Sequence, residues 1–318
     1  MTMLRVIALT LTAVLASTVA AAAQTYPQQV VRIVVPFSAG SITDGLARIL
    51  ADKLSEMWKQ QVVVENRPGL PGTTAVAKSP PDGYTLMLTS NGHTIASAIN
   101  RNLQFDPVKD FAGVARVASV PLVAIVPMEF PGNTVKDFIA RAKEKPGELN
   151  FSSAGVASTS YLSAEIFKQD AGINIVHVPF KGSPEAVTAV IRNDVQMYMC
   201  PIPTTQELGG KGMVKALAIN SSERVPQLPN VPTIAETLPQ YKYESWFGVF
   251  APAGTPGPIL DKVSQDIAKV LQIPDVREKL ITQGSIPAPS TPAEFDAINK
   301  ADTERYGKIL REAGITPQ

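Results

Sequence analysis

Phe37–Thr43, F-S-A-G-S-I-T, is the stretch whose residue types best suit the capture of a small anion. Ser38, Ser41 and Thr43 carry hydroxyls, and Ala39 and Gly40 leave the backbone open to close approach. The flanking residues would aim these groups. Val30–Val35 is a short apolar, β-branched run that reads as a buried strand, stopped by Pro36. Beyond the loop, Leu46, Ile49, Leu50 and Leu54 share one helical face. A strand that passes through a small-residue loop into a helix presents free N–H groups, and the helix dipole adds positive potential there. Asp44, inside the first turn, suits that dipole and would order the loop. Most strand–loop–helix units only build a fold, so the structural reading stands beside the binding one.

A second stretch repeats the arrangement with a different sequence. Leu149–Ser152 reads as a strand, Ser153–Ser158 (S-A-G-V-A-S) as a small-residue loop, and Thr159–Phe167 as a helix capped by Ser158 or Thr159. Two further loops follow predicted strands. Ser90–Thr94, S-N-G-H-T, is expected as a polar rim loop in which Ser90 and His93 could meet a ligand, or in which His93 makes only local hydrogen bonds. Pro201–Thr205 is expected as a loop after the strand Val195–Cys200. His177 lies within a predicted strand, Ile173–Pro179, and reads as a structural histidine. Of Trp246 and Phe247, one could cover a pocket and the other fill the core.

Composition excludes several chemistries. There are two histidines, His93 and His177, and one cysteine, Cys200, so neither a His/Cys metal cluster nor an internal disulfide is available. No cofactor is expected. The G-x-S-x-G elbow of many serine hydrolases is absent, and no isolated carboxylate pair marks the loops, so an enzyme is not expected. Lys and Arg number 29 against 28 Asp and Glu, without a basic run, which argues against nucleic acid as a partner.

Residues 1–23 read as an export signal: Arg5, then the apolar run Val6–Val19, then Ala21–Ala23 as a small-residue cleavage pattern. The run is short for a membrane span. Cleavage after about Ala23 would release a periplasmic, monomeric protein whose length suits two lobes.

In chain order, strands at Val30–Val35, Val62–Val64 and Tyr84–Thr89 alternate with helical segments, which predicts a mainly parallel sheet covered by helices. Ligands of such sheets sit beyond the carboxyl ends of the strands. Val114–Val126, broken by Pro121, reads either as two strands meeting at a crossing between lobes or as one bulged edge strand. Helices are expected at Thr134–Lys143, from a Ser183 cap with Pro184 at the first helical position, and at Ile259–Leu271 and Pro292–Ala313, the last capped by Thr291. Strands are expected at Ala216–Ile219 and Ser245–Phe250.

Eight segments, in order, resemble one family. They are I-V-V-P-F-S-A-G-S-I-T-D at Ile33–Asp44, V-V-V-E-N-R-P-G at Val62–Gly69, P-D-G-Y-T-L at Pro81–Leu86 and F-D-P-V-K-D-F at Phe105–Phe111, followed by N-F-S-S-A-G at Asn150–Gly155, H-V-P-F-K-G at His177–Gly182, V-P-T-I-A-E at Val231–Glu236 and S-W-F-G-V-F-A-P-A-G-T-P at Ser245–Pro256. Together they resemble the Bug family, the periplasmic substrate-binding receptors of tripartite tricarboxylate transporters. The resemblance implies an α/β, two-lobed Venus-flytrap protein with mixed, mainly parallel sheets and two crossover strands. Lobe one would be 24–121 plus 246–318, and lobe two 122–245. It implies capture of a small organic acid in the cleft for inner-membrane transporter subunits, or a sensory receptor acting on a membrane partner as the alternative. Ligand contacts carried over are Phe37, Ser38, Ala39, Gly40 and Ser41, then Ser153, Ala154, Gly155 and Ser158. The sequence departs from the family pattern at Ile42, where a glycine is frequent, and at Cys200, where an acidic residue is common. Around Ala157–Tyr161 the family's Gly-Thr-x-x-His is replaced, which implies a less polar far end of the pocket.

Overall fold

The computed structural model describes residues 26–317 except 156, 157, 181 and 313. The expected export signal lies outside the described residues.

The first sheet opens with β1 (Val31–Val35), α1 (Ile42–Trp58), β2 (Val62–Asn66), α2 (Leu70–Ala77) and β3 (Thr85–Ser90). Strand β1 pairs in parallel with both β2 and β3. Its side chains alternate between two cores. Ile33 and Val35 join Leu46, Leu50 and Leu54 of α1, and Val34 joins Met87, Phe250 and Phe295 on the opposite face. A strand buried on both faces must be apolar throughout, which is why β1 shows no polar–apolar alternation over Ile33–Val35.

The residues after β3 depart from the polar loop expected there. They form a 3₁₀ turn, Asn91–Ile95, leading into a short helix, α3 (Ala96–Ile99), and the turn is buried throughout. Tertiary contact explains this. Ile95 and Ala98 pack into a cluster with Tyr161, Tyr243 and Leu310, which local sequence does not announce.

Strand β4 (Phe111–Ser119) belongs to the first sheet and β5 (Leu122–Pro127) to the second, so the apolar run broken by Pro121 is two strands. The second sheet adds α4 (Val135–Glu144), β6 (Asn150–Ser153), α5 (Thr159–Ala171), β7 (Val176–Pro179) and α6 (Ser183–Ile191). It continues with β8 (Met197–Pro201), α7 (Ile202–Gly210) and β9 (Val214–Ile219). The chain returns to the first sheet at β10 (Trp246–Pro252) and ends with α8 (Gly257–Gln272), α9 (Pro274–Thr282), β11 (Ile286–Pro287) and α10 (Pro292–Glu312). The strand orders are β11-β4-β10-β3-β1-β2 and β7-β6-β8-β5-β9.

Both sheets are mixed. Parallel pairing is confined to β1 with β2 and β3, and to β6 with β7 and β8. The strands at and after the crossing, β4, β5, β9, β10 and β11, pair antiparallel. The mainly parallel pairing expected from strand–helix alternation therefore holds only in the βαβ part of each sheet. A strand that returns from the other sheet without a covering helix can enter in either direction.

Two helix starts also differ. Gly182 is the N-cap of α6 and Ser183 its first residue, one position earlier than expected. Pro201–Thr205 is the opening of α7 and not a loop. Pro203 sits in the first turn, where its missing N–H is harmless. Thr291 caps as expected, its Oγ1 accepting from Glu294 N, and Thr134 caps α4, its Oγ1 accepting from Asp137 N.

The two passages between sheets run side by side. Val120 N donates to Ser245 O at 3.1 Å, and the Ser245 hydroxyl donates to Val120 O. On the second-sheet side, Leu122 N donates to Asn220 Oδ1 at 2.7 Å and Asn220 N to Leu122 O at 2.9 Å. Helix α10 spans both halves, with Phe295 in the first-sheet core and Tyr306, Ile309 and Leu310 in the second-sheet core.

Gly248 of β10 faces Phe295 so closely that a Cβ there would overlap the ring. Gly248→Ala is expected to lower stability by about 1–3 kcal/mol through overpacking. Urea unfolding checks this; an unchanged midpoint would show that α10 yields freely.

Candidate functional site

The first loop is ordered by one buried carboxylate. Asp44 is 4% exposed. Its Oδ2 accepts from Gly40 N at 2.9 Å and from Arg48 Nε at 3.1 Å, and its Oδ1 accepts from Asn66 Nδ2 at 3.0 Å. Burial by itself would raise the Asp44 carboxyl, but the hydrogen bonds from Arg48, Gly40 and Asn66 outweigh it and hold the group below its ordinary pKa. Asn66 Nδ2 also reaches Phe37 O at 3.2 Å. Asp44 is thus committed inside the loop, with its oxygens turned to the protein's own donors.

Ser41 is the N-cap of α1, and its hydroxyl accepts from Asp44 N. The N–H groups of Ser38, Ala39, Ile42 and Thr43 meet no acceptor among the described residues. Ser38, Ala39 and Gly40 are exposed, Phe37 and Ser41 half-buried, and Ile42 is also exposed. The loop therefore offers a row of backbone donors at a helix start, with no lysine or arginine between Pro36 and Gly45.

The second loop is more tightly self-bonded. Ser158 caps α5 by accepting from Tyr161 N, and its hydroxyl donates to Gly155 O at 2.6 Å. Ala154 N donates to Ser160 Oγ, and Gly155 N to Ser153 Oγ at 3.1 Å. Ser153 is fully buried, and its Oγ lies 2.7 Å from His177 Nε2. His177 packs on Phe151 and Tyr161. Burial lowers its pKa to about 4, with Lys168 acting in the same direction. The pair resembles a nucleophile and base, but Ser153 is sealed and no carboxylate orients the imidazole among the described residues. What it does is fix the end of β6.

The two loops leave the carboxyl ends of β1 and β6. No hydrogen bond joins them among the described residues. A bridge beside them sets their relation. Strand β3 neighbours β1, and Asn91, just past β3, donates from Nδ2 to Tyr243 Oη at 3.0 Å. Tyr243 Oη donates to Thr159 O at 3.2 Å, in the first residue of α5. The end of β3 and the start of α5 are thus joined through Tyr243.

His93 lies behind the first loop. Pro107 O accepts from Asn299 Nδ2 and lies 2.9 Å from His93 Nε2. A carbonyl can only accept, so Nε2 carries the proton and Nδ1 the lone pair. The ring stacks on Phe105 and packs edge-on against Phe111. Burial lowers its pKa to about 4, against the Pro107 carbonyl, which favours protonation.

Three expected contacts lie elsewhere. Cys200 is fully buried among Val123, Ile125 and Val187, on the face of β8 opposite Met199. Burial pushes its thiol up to about 12. Cys200 is thus a core residue, because strand alternation turns it away from the open edge. Trp246 is 1% exposed, stacks edge-on with Phe295, and donates from Nε1 to Asp302 Oδ2 at 2.7 Å. It fills the core, as does Phe247. Ser90 is 3% exposed at the end of β3. Asn66 and Tyr243, which organise the site, were not singled out in the sequence. The first stands in the N-R-P-G segment; no local pattern marks the second.

A profile described as "Tripartite tricarboxylate transporter family receptor" matches residues 46–315. The chain is 35% identical over 292 residues to the Pseudomonas sp. (strain P51) protein named for the tcbD-tcbE intergenic region, covering 90% of this chain and 87% of the relative. It is 34% identical to BugT of Bordetella pertussis, covering 92% of this chain and 91% of BugT. Among solved structures it is similar to R. palustris Rpa4515 with adipate, with TM-score 0.80, 34% identity, and 92% of this chain and 100% of that chain covered. It is also similar to MatC from Rhodopseudomonas palustris with bound malate, with TM-score 0.76, 31% identity, and 90% and 100% covered.

The His93 and His177 shifts have a definite sign. Unfolded histidine titrates near its ordinary value of 6.5 and the folded rings near 4. Between those values the unfolded chain takes up protons that the folded one refuses, so stability falls as pH drops. Each ring contributes a loss of about 3 kcal/mol at most. His93→Gln is expected to be less stable than wild type at pH 7.5 but to lose less between pH 7.5 and 4.5. Urea unfolding at both values checks it, and equal losses would remove His93 as a source.

Proposed function

This chain belongs to the tripartite tricarboxylate transporter receptor family, and on that premise we propose that it captures a small organic carboxylate between its two lobes and presents it to membrane subunits of such a transporter. The observation that carries this reading is the row of N–H groups at Ser38, Ala39, Ile42 and Thr43 that meet no acceptor among the described residues, in a loop that Asp44 orders. A carboxylate needs donors that cannot themselves be neutralised. Each charge-assisted hydrogen bond contributes on the order of 1.5–3 kcal/mol before desolvation is subtracted, so four such donors support micromolar capture without an arginine clamp.

Lobe one is taken as 24–121 plus 246–318 and lobe two as 122–245, with α10 lying across the boundary. Closure would hinge at Val120 and Ser245, bringing Ser153, Ala154, Gly155 and Ser158 toward the first loop. Adipate and malate, bound by related proteins, set the ligand class to test. Family members are periplasmic binding proteins, and cleavage after about Ala23 would deliver this chain to the same compartment. The role is binding and not catalysis: the buried Ser153–His177 pair has neither access nor an acid to orient it.

Calorimetry against adipate, malate, acetate and an uncharged diol tests the reading. Saturable binding of a carboxylate and none of the diol is expected. Ser38→Asp should abolish that binding by adding a like charge, with stability changed by less than about 0.5 kcal/mol because Ser38 is exposed. Undiminished affinity in Ser38→Asp would move the seat elsewhere.

A further inference from the structure

The chain has two tryptophans, and each donates its indole N–H to an aspartate. Trp58 Nε1 lies 2.8 Å from Asp266 Oδ2, and Trp246 Nε1 lies 2.7 Å from Asp302 Oδ2. The two carboxylates are otherwise unlike. Burial by itself would raise the Asp266 carboxyl, but Lys262 and Lys269, each paired with it at 2.8 Å, hold it below its ordinary pKa together with Trp58. Asp302 forms no ion pair among the described residues. Burial pushes its carboxyl up to about 6, against the Trp246 bond and the more distant Arg305 charge.

The position of Asp302 gives this difference a consequence. Trp246 opens β10 directly after Ser245, where the chain returns from the second sheet. Helix α10 grips this passage at two points: Arg305 donates to Lys242 O, and Asp302 accepts from Trp246. Between the passage and the helix lies a cavity of about 510 Å³, with Asp302 in its wall. It shares no residue with the first or second loop, and it gives water a path to the carboxylate. The charged and titratable groups around Asp302 come from three elements. Helix α10 contributes Arg305 and Tyr306, which favour the charge, and the passage contributes Glu244, which opposes it. Lys242 and Tyr243 line the same cavity from the passage. Arg116 of β4 is already paired with Glu244 at 2.9 Å.

We propose that Asp302 is a proton-operated clasp on the returning passage: neutral, it seats against Trp246 and holds the passage to α10, and charged without a partner, it draws water into the cavity and frees the passage. The direction follows from linkage. A carboxyl whose pKa is raised in one arrangement favours that arrangement while it is protonated, and disfavours it as pH rises through the raised value. The passage is therefore stiff in acid and freer at neutral pH. This is opposite to the effect of His93 and His177, which lower stability as pH drops. The clasp rests on the reading that the two halves move about the passages, and not on which ligand the cleft takes.

The test needs no ligand, so its failure leaves the carboxylate reading of the cleft standing. The protein labelled with 5-fluorotryptophan gives two fluorine resonances, assigned with Trp58→Phe. The Trp246 resonance should titrate with a midpoint of about 6, while that of Trp58 stays flat between about pH 5 and 7.5 because Asp266 remains charged. Amide exchange over residues 241–246, corrected for its intrinsic pH dependence, should be about tenfold faster at pH 7.5 than at pH 5, from a carboxyl that titrates near 6 when seated and at its ordinary value when hydrated. Exchange over β1 should show no such rise. Asp302→Asn, which keeps an acceptor for Trp246 and removes the charge, should abolish both pH dependences and leave the passage as slow as wild type at pH 5. The proposal fails if the Trp246 resonance does not titrate in wild type, or if exchange over the passage is no faster at pH 7.5. It also fails if Asp302→Asn retains either dependence. The wild-type measurements decide the matter even where the variant does not fold.

Discussion

The two passages between sheets are bonded to each other at Val120 and Ser245, and the rest of the arrangement depends on that contact. It sets β4 beside β10 and delivers the chain to both sheets at one place. Each sheet then builds outward with its own pair of cores, one on each face. Asn220 ties the far side of the passage to β5 through both backbone groups of Leu122. The two passages and helix α10 together hold the two sheets in one arrangement.

The site follows from a division of labour among polar groups. Asp44 is buried and negative, yet it belongs to a loop suited to anions. The conflict resolves because its oxygens are engaged by Gly40, Arg48 and Asn66, and the remaining loop N–H groups meet no acceptor among the described residues. Charge is used to shape the loop, and uncharged donors are left free for the proposed ligand. Such donors keep their polarity at any pH, and small displacements of the loop do not unbalance a fixed ion pair.

Much of this was legible in the sequence. Val30–Val35 and Leu46–Leu54 specify a buried strand and a covering helix by composition and spacing, and Ser158 and Thr291 announce their helix starts. The break at Pro121 correctly suggested a crossing. Ser90–Thr94 was misread as a rim loop because its polarity suggests solvent, whereas Tyr243, Tyr161 and Leu310 arrive from distant segments to bury it. Cys200 drew notice because the family it resembles has an acidic residue there, and Trp246 as one of two aromatics that could cover a pocket. Their orientation is set by the sheet face each one occupies, and that depends on register.

By itself the sequence determined the local units: strands, helix caps, the two small-residue loops and the family to which they belong. These depend on periodicity and on groups a few residues apart, so short stretches suffice. Only the tertiary structure decided which loop donors stay free, and that Trp246, Asp302 and Arg305 meet beside the returning passage. Those properties arise where chain segments distant in sequence pack against one another, and no local pattern encodes the surface that two such segments create together.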